Sequence, residues 1–238
     1  HKVGSFISDD LMSSSKESIY ESITKEPKHK ISNLIEELTS KYRNDKHEFN
    51  SIIDFDVFVD AVKQAVKNKG IDYIIMGTNG ATGAREVLLG SNTVNVIRKV
   101  NCKAIIIPEN YHFEPFQEFL LVMDPKDELK GNTYTELLEF IETYQLHLHV
   151  LRIDPEDTRD ETRINDVSDL SLIDCSYNIT DILPIDAAVE DYLRSHQIDF
   201  AAMIIHKEGF FEHLFTSTST SKMNISKINK PMLVLHAH

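Results

Sequence analysis

Four of the chain's eight glycines, Gly77, Gly80, Gly83 and Gly90, fall within the run IDYIIMGTNGATGAREVLLGSNTVNVIRK, directly after an apolar, strand-like stretch. Glycine lets backbone N–H groups approach an anion without interference from a Cβ, or lets the chain adopt φ > 0. Gly90 and Ser91 precede NTVNVIRK, whose Val94 and Ile97 share one face of a helix. Ser91 is a suitable N-cap, and the helix start would aim its unpaired donors at the glycine loop. The chemistry this spacing suits is a cradle for phosphate. It is neither GxGxxG, which needs glycines two apart, nor GxxxxGK[ST], which needs a lysine. On these residues alone, glycines that serve only a tight strand-to-helix turn are an equal alternative.

The elements that must position this loop occur twice. IDYIIM (Ile71–Met76) recurs as IDFAAM (Ile198–Met203), GAREVLLGS (Gly83–Ser91) aligns with GFFEHLFTS (Gly209–Ser217), and each copy ends in an apolar run, AIIIP (Ala104–Pro108) or MLVLH (Met232–His236). Two copies of one domain follow, residues 1–115 and 116–238. In the first, ISNLIEELTSKY (Ile31–Tyr42) has apolar residues three and four apart and predicts a helix. FNSIIDF (Phe49–Phe55) predicts a strand, and VFVDAVKQAVKNKG a helix closed by Gly70 as its C′ residue. Strand Ile71–Met76, the glycine loop, a helix near Ser91–Val100 and strand Ala104–Pro108 complete the copy.

The second copy reads as strand Glu118–Asp124, helix NTYTELLEFIETY, strand LHLHVLRI, a helix near Ile164–Leu170, strand YNITDIL, helix IDAAVEDYLRSH, strand Asp199–Ile205 and strand Met232–His236. Strands alternating with helices predict a parallel, doubly wound sheet in each copy. The opening HKVGSFISDD matches only the end of the second copy's second strand, so the first copy lacks its first strand and helix. A doubly wound sheet needs that central strand, which implies about 35 further residues upstream.

Composition narrows the classes. With 41 % hydrophobic and 26 % charged residues the chain has the apolar content to fold. A formal charge of −13 argues against nucleic acid or an anionic membrane surface as a partner, since both need clustered Lys and Arg. Cys102 and Cys175 form no CxxC pair and suit a reducing cytoplasm, and no apolar run approaches the roughly 20 residues that span a bilayer. No HExxH, GxSxG or Cys–His arrangement is present, so no catalytic residue is assigned. His147 and His149 share a strand face and could begin a metal site, but with no third ligand at a recognisable spacing no metal site is assigned. His236 and His238 repeat that spacing at the terminus. The serine-rich SDDLMSSSKES reads as a solvated loop, and STSTS (Ser217–Ser221) as capping residues or a phosphorylation site.

The set Gly77-x2-Gly80-x9-Gly90-Ser91, preceded by a strand with Asp72 at its start and followed by a helix, Cys102 and the strand Ala104–Pro108, resembles the ATP-binding motif of the universal stress protein family. Both copies share the resemblance, which covers nearly the whole chain and implies a tandem member. It implies two similar, open, Rossmann-like five-stranded parallel sheets, of the adenine nucleotide alpha hydrolase-like kind, packed as an intramolecular pseudo-dimer with further homodimerisation open. Ala104–Pro108 and Met232–His236 would then face each other across an approximate two-fold axis. It also implies ATP, with or without Mg2+, as a regulatory or stabilising ligand, Gly77 and Gly80 lining the phosphate loop, and Gly90 and Ser91 contacting phosphates. Asn79 stands where many members carry His.

In the second copy Ile204, Lys207 and Thr216 replace the three motif glycines, while Asp124 and Ser217 keep their positions, so that copy is expected to have lost the family's mode of binding. A stress-response function follows from the resemblance, with at most weak ATPase activity. The alternatives are a nucleotide-free interaction scaffold of the same fold, or an enzyme of the wider nucleotide-binding α/β superfamily, such as an adenylating enzyme, against which the absence of a second, catalytic domain weighs.

Overall fold

A computed structural model describes residues 19–44, 46–78, 90–123, 127–154, 170, 173–181, 185–206 and 230–237. The chain divides into two compact units, residues 1–61 and 62–238. The second unit contains strands from both sequence copies, so compactness does not follow the repeat boundary at 115/116.

In the first unit the main element is α1 (Ile19–Lys41). It begins well before the expected Ile31 and carries Pro27 in its interior, the residue that makes the sequence read as non-helical there. The expected strand Phe49–Phe55 is not one: the backbone over these residues is irregular, and Ile52 and Phe55 are exposed. A strand exists only through a ladder to a neighbour, and none pairs with this segment among the described residues. The opening HKVGSFISDD and SDDLMSSSKES fall outside the described residues, as does all but the final residue of the expected helix near Ile164–Leu170.

Helix α2 (Phe58–Lys69) straddles the junction and ends where the sequence placed its end, at Gly70 with φ +61°. Beyond it the second unit holds one seven-stranded sheet, in place of two separate sheets, built from β1 (Tyr73–Gly77), β2 (Lys103–Ile107), β3 (Glu118–Met123), β4 (His147–Ile153), β5 (Cys175–Thr180), β6 (Phe200–Ile205) and β7 (Met232–His236). Their order is β1-β2-β7-β6-β3-β4-β5. Every neighbouring pair is parallel except β2 and β7, which run antiparallel with Ala104 opposite Val234, Ile105 opposite Leu233 and Ile106 opposite Met232. The two apolar terminal runs of the sequence copies therefore cover each other's edges.

Helices α3 (Ser91–Lys99), α4 (Gly131–Tyr144) and α5 (Ile185–Ser195) accompany the strands. One face of the sheet buries Leu120, Val122, Ile106 and Val234 with Ile97 of α3 and Val189 of α5. The other buries Phe119, Leu121, Leu148 and Leu233 with Leu137 and Ile141 of α4. Strands β3 and β6 are buried on both faces, which is why their sequences are near-continuous apolar runs and not alternating ones. In β6, Ala201 and Ala202 bring the layers close without leaving the interior polar.

Among the described residues no helix is long and apolar enough to cross a membrane. Gly70 is held left-handed, with open space around the position a Cβ would take. A Gly70→Ala change is expected to cost about 1–2 kcal/mol from backbone conformation alone, read as a lower midpoint in urea unfolding with an unchanged m-value.

Candidate functional site

Gly77 is the last residue of β1, and α3 begins at Ser91. Two hydrogen bonds bring these distant ends together: the Gly90 amide donates to Thr78 O at 2.5 Å, and the Thr93 hydroxyl donates to Gly77 O at 3.0 Å. The Thr78 amide extends the ladder by donating to Ile107 O at 3.0 Å. The start of α3 thus stands at the carboxyl edge of β1, the edge at which open α/β sheets bind ligands. The helix contributes its positive dipole end there, together with N–H groups that have no acceptor within the helix.

The cap differs from the one expected. Gly90, with φ −55° and ψ 140°, is the N-cap, and Ser91 is the first helical residue. Ser91 is exposed and stands one position inside the cap, whose residue, Gly90, accepts the first helical bond from the Val94 amide at 3.0 Å and has no side chain to cap with. Its hydroxyl is not committed to closing the helix. Asn79 and Gly80, with Gly83, lie outside the described residues.

Two observations bear on what this corner is for. Gly77 has no positive φ, and a Cβ built there meets nothing within 4 Å. Neither backbone conformation nor packing among the described residues requires glycine at that position. Beside it the hydroxyl of Thr78 is buried with no hydrogen-bond partner among the described residues, a condition that costs stability unless something supplies one.

At the end of β6, the positions that the sequence aligns with this corner carry larger side chains. Ile204 occupies the Gly77 position and is buried in the core, and His206 follows where the first copy has Asn79. His206 Nε2 bonds the carboxylate of Asp127, which is itself buried, and Arg152 Nη2 donates to Asp127 O at 3.0 Å and lies 3.7 Å from Met123 Sδ. Arg152, 2 % exposed, is the largest fully buried side chain in the chain's described part. Buried charge of this kind persists only when paired and hydrogen-bonded, so these side chains answer one another at the ends of β3, β4 and β6. Sequence reasoning did not single out Arg152 or Asp127. The signal was an arginine inside the otherwise apolar run LHLHVLRI. Asp124, Lys207, Thr216 and Ser217 lie outside the described residues.

Among the described residues the remaining candidates make structural contacts, with one exception; His238 and STSTS (Ser217–Ser221) lie outside the described residues. His236 Nε2 donates to Ile97 O at 2.6 Å, tying the end of β7 to the last turn of α3. Cys102 is buried near the carbonyls of Ile71 and Asp72, and burial pushes its thiol up, with Lys103 only partly opposing; Cys175 is raised by burial and then by Asp174. Both cysteines are free. The exception is the pair His147 and His149, which the sheet register brings together with Glu118.

Residues 5–108 match the model of the universal stress protein family. Over those residues the chain is similar to that family. It is similar to the universal stress protein MJ0577 of Methanocaldococcus jannaschii, with 33 % identity over 85 residues, which is 36 % of this chain and 50 % of that protein. The match thus spans half the length of that relative.

Its fold resembles the crystal structure of a universal stress protein from Archaeoglobus fulgidus, with a TM-score of 0.68, 19 % identity, and coverage of 93 % of this chain and 84 % of the other. A second similar structure, from Pseudomonas aeruginosa, has a TM-score of 0.59 at 12 % identity, covering 86 % of this chain and 78 % of that one. At these identities the structural likeness establishes the fold.

The unpartnered Thr78 hydroxyl yields a direct test. A Thr78→Val change keeps the side-chain shape and removes the buried hydroxyl, so the nucleotide-free protein should gain up to about 1–3 kcal/mol. Urea unfolding reads this, and a loss of similar size would mean that the hydroxyl has a partner.

Proposed function

We propose that the chain is a tandem universal stress protein that binds ATP, with or without Mg2+, at the carboxyl edge of β1, and that the second copy has lost this mode of binding. The observation that carries the reading is the corner formed by Gly77, Thr78, Gly90 and Ser91. It has a glycine that the described fold does not require, a buried hydroxyl with no partner among the described residues, and a helix start clamped beside both. These features suit a polyphosphate. Gly77 and Gly90 admit close approach, Ser91 and Thr78 offer hydroxyls, the first turn of α3 offers N–H groups, and Asn79 and Gly80 belong to the intervening loop.

The tandem reading is supported by the repeated sequence, by the antiparallel pairing of β2 with β7, and by a fold likeness that extends over nearly the whole chain. An antiparallel strand pair has a local two-fold axis between its strands, as a pseudo-dimer of two copies requires. In the second copy Ile204, Arg152, Asp127 and His206 gather at the ends of β3, β4 and β6, and the functional asymmetry of this reading rests on them. ATP in this reading is a regulatory or stabilising ligand of a cytoplasmic stress-response protein. Among the described residues of the corner, Gly77, Thr78, Gly90 and Ser91, none is a general base or an arginine.

Isothermal titration with ATP tests the reading. Native protein should bind one equivalent. Gly77→Val should keep the fold, since the added atoms meet open space and a β-branched residue suits a strand. The loss of one charge-assisted contact, worth about 1.5–3 kcal/mol, should weaken binding about ten- to hundredfold. Gly80→Val should behave alike. No heat with the native protein would overturn the proposal and favour the nucleotide-free scaffold.

A further inference from the structure

We infer that Glu118, His147 and His149 form a binding site for a divalent transition-metal ion of the zinc class, at the amino edge of the parallel strands β3 and β4. One ligand atom from each residue lies within 4.8 Å of the others. The sheet register makes this convergence. Glu118 stands opposite His147 in the parallel β3–β4 ladder, and His149, two residues on, shares the same face. The backbone of Glu118 is itself pinned, with the Asp199 carboxylate accepting from the amides of Gln117 and Glu118 at 2.9 and 3.1 Å, and the Asp199 amide donating to Glu118 O at 2.9 Å.

The outer contacts orient the donors. His149 Nε2 lies 2.7 Å from Glu118 Oε2, and its Nδ1 lies 3.0 Å from the Tyr192 hydroxyl, which accepts from Asn178 Nδ2 at 3.0 Å. Tyr192 is stacked on His196 with ring centroids 4.0 Å apart, so its hydroxyl is fixed. Engagement of the second ring nitrogen is what fixes the tautomer and orientation of metal-binding histidines, and here it leaves Nε2 aimed at the carboxylate. His147 lies with its ring 4.9 Å from that of His149, its Nε2 3.2 Å from Ser176 Oγ and its Nδ1 3.6 Å from Asp174 Oδ2.

The donor set selects the ion. Two imidazoles and one carboxylate suit zinc and its neighbours, whereas Mg2+ and Ca2+ prefer all-oxygen shells. Three protein ligands leave a position open. The site combines a buried histidine with a partly exposed Glu118 and His147, side-chain exposures 38 % and 31 %, so an ion can reach it from solvent. A bound ion would pin β3 to β4 and, through Tyr192, to α5.

Titration of the full chain with Zn2+ tests the inference, alongside His147→Gln, Glu118→Gln and the control His29→Gln, whose residue is exposed and remote in sequence from the cluster. The expected result is one equivalent bound by native protein and by the control, and at least about tenfold weaker binding in the other two. Mg2+ at the same concentration should not compete. Should a variant fail to fold, Co2+ bound to native protein provides the second reading: its visible spectrum should show nitrogen and oxygen ligation without thiolate charge transfer. Unchanged affinity in both folded variants, or a thiolate band from Cys102 or Cys175, would overturn the site.

Discussion

The antiparallel pairing of β2 with β7 is the constraint on which the second compact unit depends. Without it, β1, β2 and α3 would have no sheet to join, and each of two very apolar strands would present an open edge. Ile106, Met232 and Val234 are almost completely buried at this seam. Side chains reinforce it on both faces, His236 donating to the carbonyl of Ile97 on α3 and the Thr133 hydroxyl of α4 donating to His236 O at 3.0 Å. The seam also reverses strand direction. The carboxyl edge of β1 and β2 therefore lies on the same side of the sheet as the amino edge of β3 and β4, and on the opposite side from the corner filled by Arg152, Asp127 and His206.

That reversal separates two corners which the same kind of sequence has treated differently. In the first copy the strand ends in Gly77, followed by Thr78, and among the described residues a Cβ on Gly77 would meet open space and the Thr78 hydroxyl is unanswered. In the second, Ile204 and His206 follow the same strand, and a buried arginine and aspartate supply polar partners from the chain itself. A corner whose donors and acceptors are already answered gains little from a phosphate, since every new contact must displace an existing one. The first corner carries no such penalty. The difference in ligand binding proposed for the two copies thus reduces to whether polar groups at the carboxyl edge are satisfied from within.

Much of this arrangement was legible in the sequence because it is local. Helices α2, α4 and α5 follow the apolar spacing of their residues, Gly70 marks the end of α2, and the continuous apolar runs of β3 and β6 announce strands buried on both faces. Features fixed by partners distant in sequence were not. Phe49–Phe55 has the composition of a strand but no ladder neighbour. Whether Gly90 or Ser91 caps α3 depends on where β1 delivers the chain, which the Gly90–Thr78 bond decides. Two five-stranded sheets and one seven-stranded sheet share the same local pattern, and only the β2–β7 ladder distinguishes them. Glu118 joins His147 and His149 through strand register, which no spacing along the chain reveals. Arg152 was visible as an oddity in an apolar run, yet its meaning required Asp127 and Met123 beside it.

Hydrogen exchange on the full chain, with and without saturating ATP, addresses the central claim most directly. The account predicts added protection at Gly77, Thr78 and the first turn of α3, Ser91 to Thr93, with exchange at Ile205 and His206 unchanged. Protection at the second corner alone, or none at either under conditions where ATP is bound, would contradict it.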